Sequence, residues 1–266
     1  MRRPLIIANW KMNTSLADAT IMATTIKNNV GELDCEVVLC PPYVWLYPVA
    51  EITEKGPKNL GLGAQNMWFT ERGTMTGEIS PLMVKTLAKY VILGHSERRQ
   101  NFHESDDLIN DKIKSALAHG LKPILCIGEL KKNQMAKGRG RPTALDVKSD
   151  IFQQLRSDLS GIDEDDAEKI VICYEPVWAI SRGTAESRNA ADGPYVNATI
   201  EKIRKELAKK YNQNLAERIT IIYGGSVDAD NIREFLYQPE IDGALVGGAS
   251  LNAKEFVKIC RETGRD

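Results

Sequence analysis

The chain has 266 residues, 42% of them hydrophobic and 27% charged, which fits one globular domain of barrel size over residues 1–266, although length alone also allows two small domains. A formal net charge of -1 supplies no bulk field that would favour nucleic acid or an anionic membrane, so any anion must be caught by local groups. Five cysteines, Cys35, Cys40, Cys126, Cys173 and Cys260, form an odd set without a C-x-x-C pair, which points away from a disulfide framework or a zinc site and toward a reducing cytoplasm.

The chain opens on an apolar run, Leu5–Ala8, too short for a signal-peptide core or a membrane span. Ser15 and Asp18 then read as a capping box at the start of a helix. Further short apolar runs follow at Val37–Cys40 and Leu60–Ala64, and Ser80-Pro81 marks another helix start with proline at its first position. After the run Tyr90–Leu93, Ile109, Ile113, Ala116 and Leu117 fall on one helical face. Pro123–Ile127 is the fifth run, and the basic stretch from Leu130 to Thr143 reads as a solvated loop, since it lacks the interleaved aromatics of a nucleic-acid arm. Ile170–Tyr174 precedes a second one-sided helix carrying Ile200, Ile203 and Leu207, and Ile219–Tyr223 and Gly243–Val246 complete the series.

Nearly continuous apolar runs are the mark of strands buried on both faces of a parallel sheet. Eight strand-and-helix units at this length predict a closed (β/α)8 barrel. The competing doubly wound sheet would need a glycine-rich dinucleotide turn after the first strand, and that place is held by Asn9-Trp10-Lys11-Met12-Asn13.

In a parallel barrel the functional groups gather at the C-terminal ends of the strands. Those ends are polar here: Asn9 and Lys11 after the first strand, Gly94-His95-Ser96-Glu97-Arg98-Arg99 after the fourth, and Glu175 after the sixth. Singly, a lysine there is a rim charge, a histidine a structural residue and a glutamate half of an ion pair. Together they place an ammonium, an imidazole and a carboxylate in one mouth. Gly224-Gly225-Ser226 after the seventh strand and Gly247-Gly248-Ala249-Ser250 after the eighth let backbone N–H groups approach an anion closely, which predicts a phosphate site. With His95, His103 and His119 the only histidines and no paired ligand spacing, no metal site is expected.

Asn9-Trp10-Lys11-Met12-Asn13, Gly63-Ala64-Gln65-Asn66, Gly94-His95-Ser96-Glu97-Arg98-Arg99, Tyr174-Glu175-Pro176-Val177-Trp178-Ala179-Ile180, Tyr223-Gly224-Gly225-Ser226 and Leu245-Val246-Gly247-Gly248-Ala249-Ser250 resemble, in order, the motifs of the triosephosphate isomerase family. The resemblance implies interconversion of dihydroxyacetone phosphate and D-glyceraldehyde 3-phosphate through an enediolate, with no cofactor. It makes Glu175 the base and His95 the electrophile, with Asn9 and Lys11 on the substrate oxygens and Glu97 in support. Backbone N–H groups of a short helix opened by Ser96 and Glu97 would hold the imidazole. Ser226, Gly247, Gly248 and Ser181 match the phosphate contacts. It also implies a homodimer through the loop from Gln65 to Glu78, with core packing an alternative role for Trp68 in that loop. Cys126 matches a small buried residue and is no nucleophile.

The sequence departs from the family after the sixth strand, where Ile180-Ser181-Arg182-Gly183-Thr184-Ala185-Glu186 replaces the usual Ile-Gly-Thr-Gly-Lys-Thr-Ala. A mobile loop over residues 177–186 that still closes is the expectation. The altered loop keeps open a paralogous isomerase of another short ketose phosphate, such as a tetrulose phosphate. A Schiff-base aldolase is disfavoured because Glu175 stands where its lysine would be, and a purely non-catalytic binding role leaves the acid–base set unexplained.

Overall fold

A computed structural model describes residues 2–128, 144–179 and 191–264. Eight parallel strands close into a barrel in sequence order: β1 (Leu5–Asn9), β2 (Glu36–Cys40), β3 (Leu60–Ala64), β4 (Tyr90–Leu93), β5 (Lys122–Ile127), β6 (Val171–Tyr174), β7 (Ile221–Tyr223) and β8 (Gly243–Val246). All eight expected runs are strands, displaced by at most two residues at an end. The family of open doubly wound sheets is thereby excluded.

The two-residue period of each strand divides the core into two shells. Leu5, Ile7, Val38, Cys40, Tyr90, Ile92, Ile124, Cys126, Val171, Cys173, Ile222 and Leu245 point inward and fill the barrel. Their sequence neighbours, such as Ile6, Ala8, Val37, Leu39, Val91 and Leu125, point outward against the helices. Two inward positions of β3 are Gly61 and Gly63; the fully buried ring of Tyr90, whose hydroxyl donates to Glu36, takes the space beside Gly61, and Cys40 Sγ that beside Gly63. The seam between β1 and β8 needs glycine for a different reason. Gly243 has φ of +153°, and a Cβ there would stand 1.9 Å from the Leu5 carbonyl oxygen.

The helix signals act as their spacing suggests. Ser15 and Asp18 form the reciprocal capping box that starts helix Leu16–Lys27, and Ser80 caps helix Pro81–Lys85 at Met83 N–H. Ile109, Ile113, Ala116 and Leu117 are the buried stripe of helix Asp106–Ala118, as Ile200, Ile203 and Leu207 are of helix Gly193–Lys210. The stretch from Leu130 to Thr143 lies outside the described residues. At the N-terminal end of the barrel Asp242 accepts from Arg2 and Arg204 and from the backbone N–H of Ile221, tying the chain start to β7 and β8.

Candidate active site

The end of β1 turns sharply upward into the site. Lys11 adopts φ of +52°, a left-handed conformation that costs a residue with a Cβ of the order of 1 kcal/mol or more. Three bonds hold it there: Asn9 Oδ1 accepts from Lys11 N–H at 3.1 Å, Gln65 Nε2 donates to the Lys11 carbonyl at 2.9 Å, and Lys11 Nζ donates to Glu97 Oε1 at 2.6 Å. Gln65 also donates to the Cys40 carbonyl, so one side chain from β3 braces the loops after β1 and β2. Its position inside a recognisable motif was the only signal for that role in the sequence.

His95 caps helix Ser96–Asn101, and its Nδ1 accepts from Glu97 N–H at 3.2 Å. An imidazole that accepts at Nδ1 carries its proton on Nε2 and is neutral in this arrangement. The expected hydrogen bond from a short helix to the ring is therefore present. Nε2 faces Glu175 Oε1 at 3.2 Å, while the other carboxylate oxygen, Oε2, accepts from Ser96 N–H at 2.9 Å. One helical turn thus orients both the imidazole and the carboxylate. The bond from Ser96 N–H to Glu175 is invisible to sequence patterns, because it joins the ends of two strands far apart in the chain.

Arg99 fixes this helix from below. Its guanidinium, almost wholly buried, donates to the Gly94 and Cys126 carbonyls at 2.7 and 3.1 Å and pairs with Asp158 at 2.6 Å and Asp106 at 2.5 Å. The ends of β4 and β5 are clasped together, which sets the height of His95. On the far side of Glu175, Gln154 makes a two-way bond with Gly128, accepting from its N–H and donating to its carbonyl, both at 2.9 Å. Gln154→Leu leaves both backbone groups buried and unpaired, and is expected to cost about 2 kcal/mol of stability in urea unfolding.

Asn9, Lys11, His95, Ser226, Gly247 and Gly248 line one cavity of about 440 Å³. Asp228 and Asn231, which no motif pointed to, join its wall. The Ser226 hydroxyl oxygen is buried without a hydrogen-bond partner, as a group awaiting a polar ligand would be. Glu175 stands directly behind His95 and is only 1% exposed, so it is beside the cavity and not on its wall. Ser181 and most of the expected mobile loop lie outside the described residues; the described part, Val177–Ala179, is a single 3-10 turn whose last carbonyl accepts from Ser226 N–H at 3.2 Å. Cys126 is fully buried, and burial raises its thiol well above the ordinary range, which fits a packing residue and not a nucleophile.

A larger cavity, about 810 Å³, opens at the opposite end of the barrel among Arg2, Glu168, Arg204, Arg218 and Glu240. Its charges are spent on each other, in the pairs Arg218–Glu168 and Arg204–Glu240. Size is therefore a poor guide here, and convergent unpaired chemistry is the better one.

The chain as a whole is similar to known proteins. The family model described as Triosephosphate isomerase matches residues 4–263. The chain belongs to the triosephosphate isomerase family. Among curated relatives named Triosephosphate isomerase, that of Caldanaerobacter subterraneus subsp. tengcongensis is 46% identical over 260 residues, covering 97% of this chain and 99% of the relative. That of Chloroflexus aurantiacus is 45% identical over 261 residues, covering 97% and 98%, and that of Dictyoglomus turgidum 44% over 263 residues, covering 98% and 100%. Membership over this length favours the triose phosphate isomerase reading over the paralogous tetrulose phosphate one.

Proposed function

We propose that the chain interconverts dihydroxyacetone phosphate and D-glyceraldehyde 3-phosphate by proton transfer through an enediolate. The observation that carries this reading is the meeting of His95 Nε2 and Glu175 Oε1 at 3.2 Å beside a cavity that also exposes Lys11 and Asn9. Glu175 takes a proton from the carbon next to the substrate carbonyl and returns it to the neighbouring carbon. As charge builds on the carbonyl oxygen, His95 donates to it from Nε2 and the Lys11 ammonium offsets it, with Asn9 beside them. Glu97 holds Lys11 in place and donates its backbone N–H to the ring. The reaction moves only protons, so the residues need no redox cofactor.

The phosphate dianion fits the end of the cavity formed by Ser226, Gly247 and Gly248, where a Cβ at Gly247 would meet only the Lys11 side chain and one at Gly248 nothing within 4 Å. Backbone N–H groups and the unpartnered Ser226 hydroxyl supply donors without a fixed positive charge. Ser181 is the fourth phosphate contact in this reading, through its backbone N–H. A base that is 1% exposed has to move toward the cavity before it can touch substrate, and its neighbour Ala179, bonded to Ser226 N–H, couples that movement to the phosphate end. The test is isomerisation of dihydroxyacetone phosphate by the wild-type protein in D2O. Deuterium at C2 of the product is expected, because the proton held on the Glu175 carboxyl exchanges with solvent before it is delivered; no turnover of dihydroxyacetone phosphate would end the proposal.

The same reading makes the protein a homodimer and places it in the cytoplasm. Met12, Val44, Tyr47, Met75 and Phe102 are exposed, and all follow the neighbouring strands β1 to β4 on the mouth side of the barrel. Residues 71–77 are exposed, but the root of their loop is anchored: the buried Lys112 ammonium donates to Asn66 and Glu104 and lies 5.6 Å from the half-buried Trp68 ring. A polar tip that presents one exposed apolar side chain, Met75, on a fixed root suits insertion into a second copy. Met75→Asp is expected to weaken the dimer by about 2 kcal/mol or more, read as a shift to monomer in sedimentation at falling concentration. For the location, five free buried cysteines fit a reducing compartment, and no helix among the described residues is long and apolar enough to cross a membrane.

A further inference from the structure

Below the wall of the active cavity, Cys126 of β5 and Cys173 of β6 are paired in register, and both point into the barrel. The two Sγ atoms and a carboxylate oxygen of Glu175 all lie within 4.8 Å of one another, and all three residues are buried. Glu175 Oε1 has no hydrogen-bond partner. It faces His95 Nε2 at 3.2 Å. Two sulfur ligands, an oxygen ligand and a nearby imidazole are the donor types that zinc and other filled-shell soft cations take. Three atoms no more than 4.8 Å apart leave a centre within about 2.8 Å of each, so a contraction of about half an ångström reaches the Zn–S distance of about 2.3 Å.

A glycine stands between the cluster and the cavity. Gly224 lines the active cavity, and a Cβ on it would stand 2.6 Å from Cys173 Sγ and 2.8 Å from Glu175 Cγ. The glycine backbone, packed tightly on Cys173 and Glu175, is the layer between the cavity and the cysteine pair, so a cation enters only as that layer shifts. Spacing rules miss the cluster because Cys126 and Cys173 belong to different strands and meet only through the register of β5 with β6.

We propose that Cys126, Cys173 and Glu175 form a buried binding site for a soft divalent cation, zinc or cadmium, beside the active cavity. Two thiol protons pass to solvent as the thiolates bind, and the Glu175 carboxylate becomes a ligand. A carboxylate engaged in this way has lost the lone pair with which it would accept a proton from carbon. The cation is therefore an inhibitor of the isomerase, a consequence that rests on Glu175 being the base; the binding itself does not.

The experiment is titration of the intact, metal-free protein with cadmium chloride, following thiolate-to-cadmium absorption in the ultraviolet and, in parallel, the isomerase rate relative to each variant's own metal-free rate. The wild type is expected to take one cadmium per chain with a two-thiolate absorption and to lose activity as it does so. Cys173→Ala, with Cys126→Ala as a second variant in case either folds poorly, is expected to lose that absorption and to need at least about tenfold more cadmium for the same fractional inhibition. No absorption in the wild type, or the same absorption in both variants, overturns the site. Absorption with an undiminished rate supports the site and instead removes Glu175 from the role of base, so the two ideas fail separately.

Discussion

Glu175→Gln is expected to lower kcat by about 10³-fold, or about 4 kcal/mol of transition-state stabilisation, with KM nearly unchanged. The amide has the shape of the carboxylate and keeps an oxygen for Ser96 N–H, which now bonds Oε2 at 2.9 Å. What it lacks is basicity. Because Glu175 lies behind His95 and off the cavity wall, ground-state binding through Lys11, Ser226 and the glycines of β8 is left in place, so kcat and kcat/KM fall together. Stability should not fall, since a neutral amide is cheaper to bury than a carboxylate that is 1% exposed with one oxygen lacking a hydrogen bond. Steady-state kinetics alongside thermal unfolding check both halves. A kcat within a few-fold of wild type would remove the carboxylate from the chemistry.

Gly128→Ala is expected to reach the same residue through the backbone. A Cβ at this position would stand 1.8 Å from the Glu175 carbonyl oxygen and 2.7 Å from its carbonyl carbon. Neither atom is the end of a flexible side chain, so the start of the segment after β6 must move. The bond from Glu175 N–H to the Ile127 carbonyl, 2.8 Å, and the Gln154 clasp on Gly128 resist that movement from the other side. Overpacking of this kind costs about 1–3 kcal/mol, and displacing a reacting group by about an ångström costs of the order of 10²-fold in rate. Urea unfolding and the isomerase assay together should show both losses, whereas Gln154→Leu should lose stability with a smaller change in rate. Wild-type kinetics in Gly128→Ala would mean that this contact does not set the position of the base.

Much of the molecule was legible in one dimension because the physics that shapes it is local or periodic. Apolar runs of strand length, one-sided helical stripes and capping serines report on burial and on backbone hydrogen bonds within a few residues, and the barrel follows from repeating them eight times. The polar residues after β1, β4, β6, β7 and β8 follow from the same pattern, since every parallel strand of a barrel delivers its end to the same face. Gln154 and Gly128 were not legible as site-forming residues, and Gln65 and Arg99 were legible only as members of motifs, without their roles. Each acts across the barrel on a backbone group of another segment, and a glutamine or arginine with such a partner looks in sequence like any surface residue.

The sequence by itself determined the barrel, the family and the identities of the ammonium, imidazole and carboxylate, because strand periodicity and contiguous motifs write these along the chain. Tertiary structure alone decided that His95 accepts at Nδ1 and presents Nε2–H, that Glu175 rests on Ser96 N–H behind it, and that two cysteines stand beneath them. Those facts depend on the register and height of neighbouring strands, and an interval of a few ångströms between distant segments has no counterpart in residue order.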